Sequence, residues 1–472
     1  MRRRDYLSAF GGLIFVSSQL LAQSAGTFVR TGDMTTPRLT ETATLLLDGK
    51  VLITGGLAGE SAGGLALGSA ELYDPATGTF SPTGNMKNAR AGHAATRLAD
   101  GRILITGGYS GTEAEIYDPA TATFATAGNM TSSRSFHAAV LLNSGKVLIT
   151  GGHPLDGSTP STASAEIYDP ECGVFTSASD MTVPRYDHKA TLLPDGSVLI
   201  VPGSDGADYA TAEVFDPRSG GFTSLPFTGS LGLVAATSNL LPNGKVLQTL
   251  QVAECDINTQ LSNSYDPATA TFAAGPEMNS PHCQQVSTVL PDGTVLIVGS
   301  LDDATGANPS AETYDIRSGS FSLAGQVLFG RLSPSVTLLN SGNVLITGGW
   351  LAASELYEPA QAAPALQLLA AANGRPAILH AGTQALVSAD NPTTAGEALE
   401  IYCTGLIDGS VIPPQVAIGG RLAEVLYFGG APGFDGLNQV NVLVPSKTAA
   451  GTIETRLTYL GRSSNSVTLA VQ

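Results

Sequence analysis

Short apolar runs, each preceded by a polar turn and most of them followed by glycine, recur along most of the chain. The first is the segment DGKVLITGG at residues 48–56. The pattern starts at seven positions spaced 44 to 52 residues apart, which are Asp48, Asp100, Ser144, Asp195, Asn243, Asp292 and Ser341. Because these runs are continuously apolar rather than alternating, they predict short strands that are buried on both faces.

A second strand pattern follows each apolar run and is exemplified by AELYDPATGTF at residues 70–80. An aromatic residue occupies the same point in all seven copies, at Tyr73, Tyr117, Tyr168, Phe215, Tyr265, Tyr314 and Tyr357. The intervening Asp-Pro-Ala-Thr-Gly is typical of a turn, since proline fixes φ and glycine accepts positive φ. Each repeat therefore predicts four short antiparallel strands, and a radial arrangement of such sheets would cover their apolar faces.

The paired glycines with spaced aromatics resemble the kelch repeats of the galactose oxidase-like superfamily. The resemblance implies an all-β protein, with a seven-bladed kelch β-propeller over residues 25–360. The seventh copy lacks its phenylalanine strand, whereas Gly26–Phe28 is an unmatched strand of this type. We therefore expect the ring to close by pairing residues 26–28 with Leu356–Tyr357, and deletion of residues 24–32 to destabilise it.

After the last repeat, residues 361–374 are rich in alanine and predict a linker. Residues 375–472 contain short β-type runs separated by glycine and proline, which favours an immunoglobulin-like β-sandwich. The segment APGFDGLNQVNVLVP at 431–445 and the ending SNSVTLAVQ resemble a domain common at the C-terminus of exported bacterial proteins. That resemblance implies export and modularity but no chemistry.

The N-terminus has the pattern of a signal peptide over residues 1–22, because three arginines precede an apolar stretch that ends at Ala22. Arg3-Arg4 also resembles a twin-arginine export signal. No later apolar run reaches the length of a membrane span. The net charge of −17 disfavours nucleic acid as a partner. We expect the protein to be exported and monomeric.

The candidate binding residues lie mainly in an Arg-x-x-His element that begins the first strand of three repeats. They are Arg90, His93, Arg134, His137, Arg185 and His188, together with His153 and Asp205 in loops. Three histidines at matched positions could surround a metal. The alternative is that each histidine bonds within its own blade and each arginine caps loop carbonyls. We expect this second arrangement, in which the histidines and arginines bond locally. We also expect no catalytic residue, metal or cofactor.

The four cysteines do not form a CxxC pair, so a zinc ribbon is not indicated. Cys255 and Cys283 belong to connections that a kelch propeller places on one face. They are the predicted disulfide pair, which would close about 28 residues and contribute a few kcal/mol.

The connections of variable length predict recognition, since variable loops on a rigid ring are common binding surfaces. The candidates are Ala58–Gly68, His153–Thr162, Asp205–Tyr209, Glu254–Gln260 and Asp302–Asn308. The main prediction is a non-catalytic propeller that binds a carbohydrate or protein through these loops. The alternatives are a kelch-type enzyme, either an oxidase or a sugar epimerase, and a structural cell-surface protein without a discrete ligand. The superfamily's copper site requires a Cys–Tyr crosslink, a further tyrosine and two histidines, and we find no His–Tyr set outside the repeat.

Overall fold

Antiparallel sheets follow the sequence repeats in the computed structural model of the chain. The structure describes residues 26–59, 64–109, 111–153, 161–203, 211–227, 233–252, 259–282, 284–299, 310–370, 376–383 and 385–472. All regular elements in these ranges are strands. This part of the chain contains no helix that is long and apolar enough to cross a membrane.

Each repeat forms one antiparallel sheet, and the sheets are numbered here as blades one to seven in chain order. The strands of blades one to four are Thr42–Leu45, Val51–Thr54, Ala70–Asp74 and Thr79–Pro82; His93–Arg97, Ile103–Gly107, Glu113–Asp118 and Thr123–Asn129; Ala138–Leu141, Val147–Thr150, Ala165–Asp169 and Val174–Ser177; and Lys189–Leu192, Val198–Val201, Thr211–Asp216 and Gly221–Pro226. The strands of blades five to seven are Leu233–Ala235 with Asn239–Leu240, Val246–Val252, Ser262–Asp266 and Thr271–Ala274; Val286–Val289, Val295–Val298, Ser310–Asp315 and Ser320–Gln326; and Pro334–Leu338, Val344–Gly348, Leu351–Glu358 and Thr27–Arg30. A small sheet beside blade one contains Arg38–Leu39, Leu57–Ala58 and Leu65–Ala66.

The first strand of each blade is innermost, and these strands form a closed ring. Each contacts the first strand of the next blade, and the strand of blade seven contacts that of blade one. The second strands are enclosed between blades; Val51 and Ile53, for example, are 0% exposed. The predicted burial of these strands on both faces is therefore confirmed.

The N-terminal strand closes the ring. Phe28 pairs with Tyr357, and Val29 pairs with Leu356, in antiparallel register. The rings of Phe28 and Tyr357 also contact each other, with centroids 5.0 Å apart. The predicted pairing of the two ends of the repeat region in one blade is confirmed.

The C-terminal residues form two packed five-stranded sheets. One contains Gln367–Leu368, Ile378–His380, Ala398–Thr404, Glu424–Gly430 and Asn438–Leu443; the other contains Gln415–Ile418, Arg421–Leu422, Gly451–Tyr459, Arg462–Ser463 and Val467–Val471. Leu399 and Val440 of the first sheet share a buried core with Val416 and Leu457 of the second. Inward residues alternate with more exposed ones along Ala398–Thr404, as a sandwich requires.

The sandwich packs against one face of the propeller, where the turns after the first and third strands lie. Arg462 donates to the carbonyl of Asn340, and the amide of Val411 donates to the carbonyl of Pro242. Glu171, in a turn of blade three, forms an ion pair with Lys447 at 2.7 Å and another with Arg421. The opposite face, which carries the second-to-third-strand and blade-to-blade connections, is called the loop face below.

Candidate functional site

The arginines of the repeated element are buried in ion pairs within their own blades. Arg90 lies 3.0 Å from Glu115, and neither side chain is more than 1% exposed. Equivalent pairs join Arg38 to Glu71, Arg134 to Glu166, Arg185 to Glu213 and Arg331 to Glu355. Burial lowers the pKa of Arg90 despite its acidic partner. These guanidinium groups therefore fill the blade interior instead of facing the loop-face solvent.

The glutamate partner was missed in the sequence, although its signal was present in the recurring A-E-x-Y-D pattern. In blade six His282 replaces arginine and faces Glu312 at 3.3 Å. In blade five Leu233 and Asn263 replace both partners together. Both partners are replaced together because a buried ion without its partner is costly in an apolar interior.

The repeated histidines connect neighbouring blades. The Nε2 atoms of His93, His137 and His188 lie 3.0, 2.9 and 2.8 Å from the hydroxyls of Thr54, Thr106 and Thr150 in the preceding blade. The expectation that each histidine bonds within its own blade is therefore wrong. The first strand borders the preceding blade, so its side chain reaches the neighbouring threonine first.

These imidazoles are neutral and occupy three separate blade junctions. Burial, together with the smaller effects of the Arg90 and Arg38 charges, lowers the pKa of His93 to about 3. Burial likewise lowers the pKa of His137 and His188. Within the described ranges, no group of three or more His, Cys, Asp or Glu side chains is placed to hold a metal ion.

The paired glycines provide the space that these histidines occupy. A Cβ atom on Gly55 would lie 2.5 Å from the carbonyl oxygen of Arg90 and 2.8 Å from Cε1 of His93. The glycine pair of one blade and the Arg-x-x-His element of the next are thus two halves of one interface.

The innermost strands enclose a central channel with a cavity of about 520 Å³. Small and hydroxyl-bearing side chains line much of it, including Thr42, Ala95, Ala139, Thr237 and Ser335. The sandwich contacts the turns at the ends of the innermost strands, so the starts of these strands mark the opposite mouth. That mouth lies at the loop face.

The backbone at this mouth is constrained. Five residues at one position of the repeat have positive φ of 45–55°, namely Thr40, Phe136, Asp187, Gln284 and Ser333. Blade-to-blade hydrogen bonds hold part of this rim: the amide of Phe136 donates to Gly92, and that of Asp187 donates to Phe136, at 2.8 and 2.7 Å. Residues in sparsely populated conformations cluster at functional sites, so the rim is the natural place to look for one.

Aromatic and polar side chains gather on the rim between blades two and four. His153 meets Tyr186 edge-to-face with ring centroids 5.6 Å apart, and Tyr109 meets Phe136 in the same way at 6.4 Å. Asp187 is exposed and pairs with Lys189 at 2.9 Å. We call Tyr109, Phe136, His153, Tyr186 and Asp187 the loop-face cluster.

The loop-face cluster corrects the expectation that no His–Tyr set falls outside the repeat. His153 and Tyr186 are 33 residues apart in the sequence and meet because blades three and four pack side by side. In the sequence, His153 comes immediately after a repeated Gly-Gly, and Tyr186 comes immediately after a repeated arginine. The other repeats have different side chains at these two positions, and this difference was the signal. Of the candidate residues, only His153 belongs to this cluster.

Several sequence predictions fall outside the described residues. Asp205, Cys255 and Cys283 are among them, as is most of the variable-loop set. The proposed Cys255–Cys283 disulfide therefore stays a prediction. Cys172 is a free, exposed thiol, and Cys403 is a free thiol buried in the sandwich.

Comparison with known proteins places the fold. No protein-family model matches the chain, and no curated protein matches it in sequence. Among solved structures, the chain is similar to a fungal alcohol oxidase of the AA5 family in complex with copper. The two are 17% identical with a TM-score of 0.63, over 95% of this chain and 100% of the oxidase. At this identity the likeness shows the fold alone, a β-propeller followed by a β-sandwich.

The same comparison corrects the functional prediction. The sequence favoured a non-catalytic propeller that binds a partner, because no chemistry was recognised outside the repeat. A solved structure that is similar over 95% of this chain is an alcohol oxidase. The finding supports the kelch-type enzyme that the sequence left as an alternative.

Proposed function

We propose that this chain is an exported kelch-type enzyme that oxidises an alcohol group to a carbonyl group at the loop-face mouth of its central channel, with dioxygen accepting the two electrons and two protons and leaving as hydrogen peroxide. The observation that carries the proposal is the loop-face cluster, which lies on the constrained rim of the channel opposite the sandwich. The fold similarity to an alcohol oxidase supports this choice of reaction class. The pattern of a signal peptide over residues 1–22 supports export.

The side chains of the cluster have properties that suit a hydroxyl-bearing substrate. Tyr109 is 47% exposed and presents an aromatic surface to the apolar side of a small alcohol or sugar. The carboxylate of Asp187 accepts hydrogen bonds from substrate hydroxyls. The imidazole of His153, beside Tyr186, is the candidate to accept a hydroxyl proton.

The fold similarity to an oxidase in complex with copper suggests copper as a cofactor. The described residues do not form a site that fits copper. His93, His137 and His188 are each held at a separate blade junction by a threonine. On the described rim, His153 and Tyr186 are a single imidazole–phenol pair, short of the ligands that the copper site of this superfamily uses. No step is therefore assigned to copper.

The proposal is tested with the purified mature protein, with and without preincubation in Cu²⁺. Oxygen consumption and peroxide release are measured on a panel of primary alcohols and sugars, and bound metal is quantified. We expect peroxide release with at least one substrate. His153→Ala is expected to reduce the rate about 10²-fold or more if the imidazole exchanges a proton, whereas Leu323→Ala on an outer strand should leave it unchanged. Absence of turnover across the panel, with and without copper, would overturn the oxidase.

A sugar epimerase is the second candidate, and the loop-face cluster itself favours it. A carboxylate and an imidazole on one rim can exchange protons without a redox partner. Deuterium incorporation from D₂O into a sugar, followed by NMR, distinguishes this activity from oxidation. Exchange without peroxide release would select the epimerase.

A further inference from the structure

Glu41 is an uncompensated carboxyl group at the seam where the propeller ring closes. It is 6% exposed, and neither carboxyl oxygen has a hydrogen-bond partner of ordinary geometry among the described residues. The carboxyl group packs against Gly348 of blade seven so closely that a side chain at Gly348 would overlap it. Glu41 therefore contacts blade seven from blade one.

The position of Glu41 is that of the repeated histidines. His93, the equivalent residue of blade two, bonds Thr42 and Thr54 of blade one. At the closing seam the matching hydroxyls are those of Ser335 and Thr347 in blade seven, and the hydroxyl of Thr347 also has no partner within the described part of the chain. The seam thus contains a carboxyl group where three other junctions contain a neutral imidazole.

The charged groups around Glu41 do not neutralise it. Arg38 of blade one and Arg331 of blade seven are the nearest cations, and each is already paired with a buried glutamate. Burial raises the pKa of Glu41 to about 7, against smaller opposing effects of its own backbone amide, Ser335 and these two arginines. The carboxyl group is therefore neutral in mildly acidic solution and ionised in mildly alkaline solution.

Glu41 does not contact a substrate in this state, since both of its oxygens are closed to the channel. It does share the channel wall with Ser335. An ionised carboxylate in this niche would have the hydroxyl of Ser335 beside it but no free cation, which is a costly arrangement. Release of the side chain toward the channel would restore its hydration.

We propose that Glu41 is a proton-operated latch on the closing seam of the propeller. Protonated, it stays packed against Gly348 and holds blade one on blade seven. Ionised, it leaves the niche, and the seam between Thr42–Leu45 and Pro334–Leu338 loosens. The latch is independent of the reaction proposed above, because it concerns ring closure alone.

Hydrogen–deuterium exchange on the full mature chain tests the latch without an activity assay. After correction for intrinsic exchange, peptides covering residues 38–54 and 334–348 are compared at pH 6 and pH 8.5 with residues 138–150, which lie at histidine-held junctions. We expect opening at the seam to increase roughly tenfold over this range, as a carboxyl pKa raised from its ordinary value implies. The 138–150 peptide should change little.

Two variants of Glu41, with a control at Glu277, make the result decisive. Glu41→Gln, which cannot ionise, should remove the pH dependence of the seam, whereas Glu277→Gln at an exposed position should keep it. Glu41→His installs the group of the other junctions and is expected to give a seam that is insensitive to pH above 6. Retention of the wild-type pH dependence in either Glu41 variant, or a change spread evenly over all blades, would overturn the latch.

Discussion

The imidazole Nε2 of His93 lies 3.0 Å from the hydroxyl of Thr54, and the two residues belong to different blades. Thr54 precedes the glycine pair of blade one, and His93 packs over that pair from blade two. The recurring sequence element therefore serves the contact between blades. Its histidines are structural groups whose neutral state is fixed by burial.

The first prediction concerns this contact. His137→Ala removes an imidazole that bonds Thr106 and fills the space over Gly107. A cavity and an unpaired buried hydroxyl result, so the free energy of unfolding should fall by about 2–4 kcal/mol. Urea denaturation measures the loss. His153→Ala on the rim is the matched control and should cost less than about 1 kcal/mol.

The second prediction concerns the buried ion pairs. Arg90→Met alone leaves the Glu115 carboxylate buried without its cation and should cost about 3–5 kcal/mol. The double variant Arg90→Met, Glu115→Leu removes both charges, as the natural blade five does. We expect it to recover most of that loss in chemical denaturation. If the double variant is no more stable than the single one, the pair is not held by charge compensation.

The third prediction separates backbone strain from overlap at the glycine pair. Gly151 and Gly145, both in blade three, have positive φ of 62° and 81°. A Cβ on Gly151 would lie 2.7 Å from Cε1 of His188, whereas one on Gly145 meets nothing within 4 Å. Gly145→Ala should therefore cost only the backbone penalty of about 1–2 kcal/mol. Gly151→Ala should cost clearly more, and equal melting temperatures for the two variants would contradict the interlocked interface.

The fold was predictable from the sequence because the repeat has a fixed period and turns of recognisable chemistry. The unmatched strand at Gly26–Phe28 even predicted how the ring closes. The contacts between repeats were not predictable in the same way. A histidine at one phase of the repeat can bond its own blade or the preceding one, and only the packing of the sheets decides between them.

The candidate site was harder to predict for a related reason. The repeat fixes the backbone position of His153 and Tyr186 but says nothing of which neighbouring side chains meet across a junction. Attention to repeated residues selected Arg90 and His93, which the fold buries. Side chains that depart from the repeat at rim positions were the more informative signal for chemistry.

The fourth prediction concerns His380 and Glu397 in the sandwich, which form a direct contact. Partial burial opposes the charging of His380, but hydrogen bonds to Glu397 and to the carbonyl of Asn391 outweigh it and raise its pKa. Burial likewise opposes the ionisation of Glu397, and bonds from His380, Thr394 and Thr393 outweigh it and lower its pKa. Their pairing should stabilise the sandwich between these two values.

The sign of each contribution follows from the direction of the shift. The part due to His380 is complete at acidic pH and is lost as the pH rises through its raised pKa. The part due to Glu397 is lost as the pH falls through its lowered value. NMR titration of His380 should give a pKa above 6.5 that returns toward 6.5 in Glu397→Gln. An unshifted wild-type titration would contradict the pairing.

The last prediction concerns the N-terminal strand that closes the ring. Thr27–Arg30 is the fourth strand of blade seven and covers the hydrogen-bonding edge of Leu351–Glu358. Deletion of residues 24–32 would expose that edge and the apolar side of Tyr357 together, so the whole propeller should unfold at lower urea concentration. Phe28→Ser keeps the backbone pairing but removes the ring contact with Tyr357, and it should cost about 1–3 kcal/mol, less than the deletion. If the deletion lowers the urea midpoint no more than Phe28→Ser does, strand pairing contributes little and the ring is held chiefly by contacts between its innermost strands.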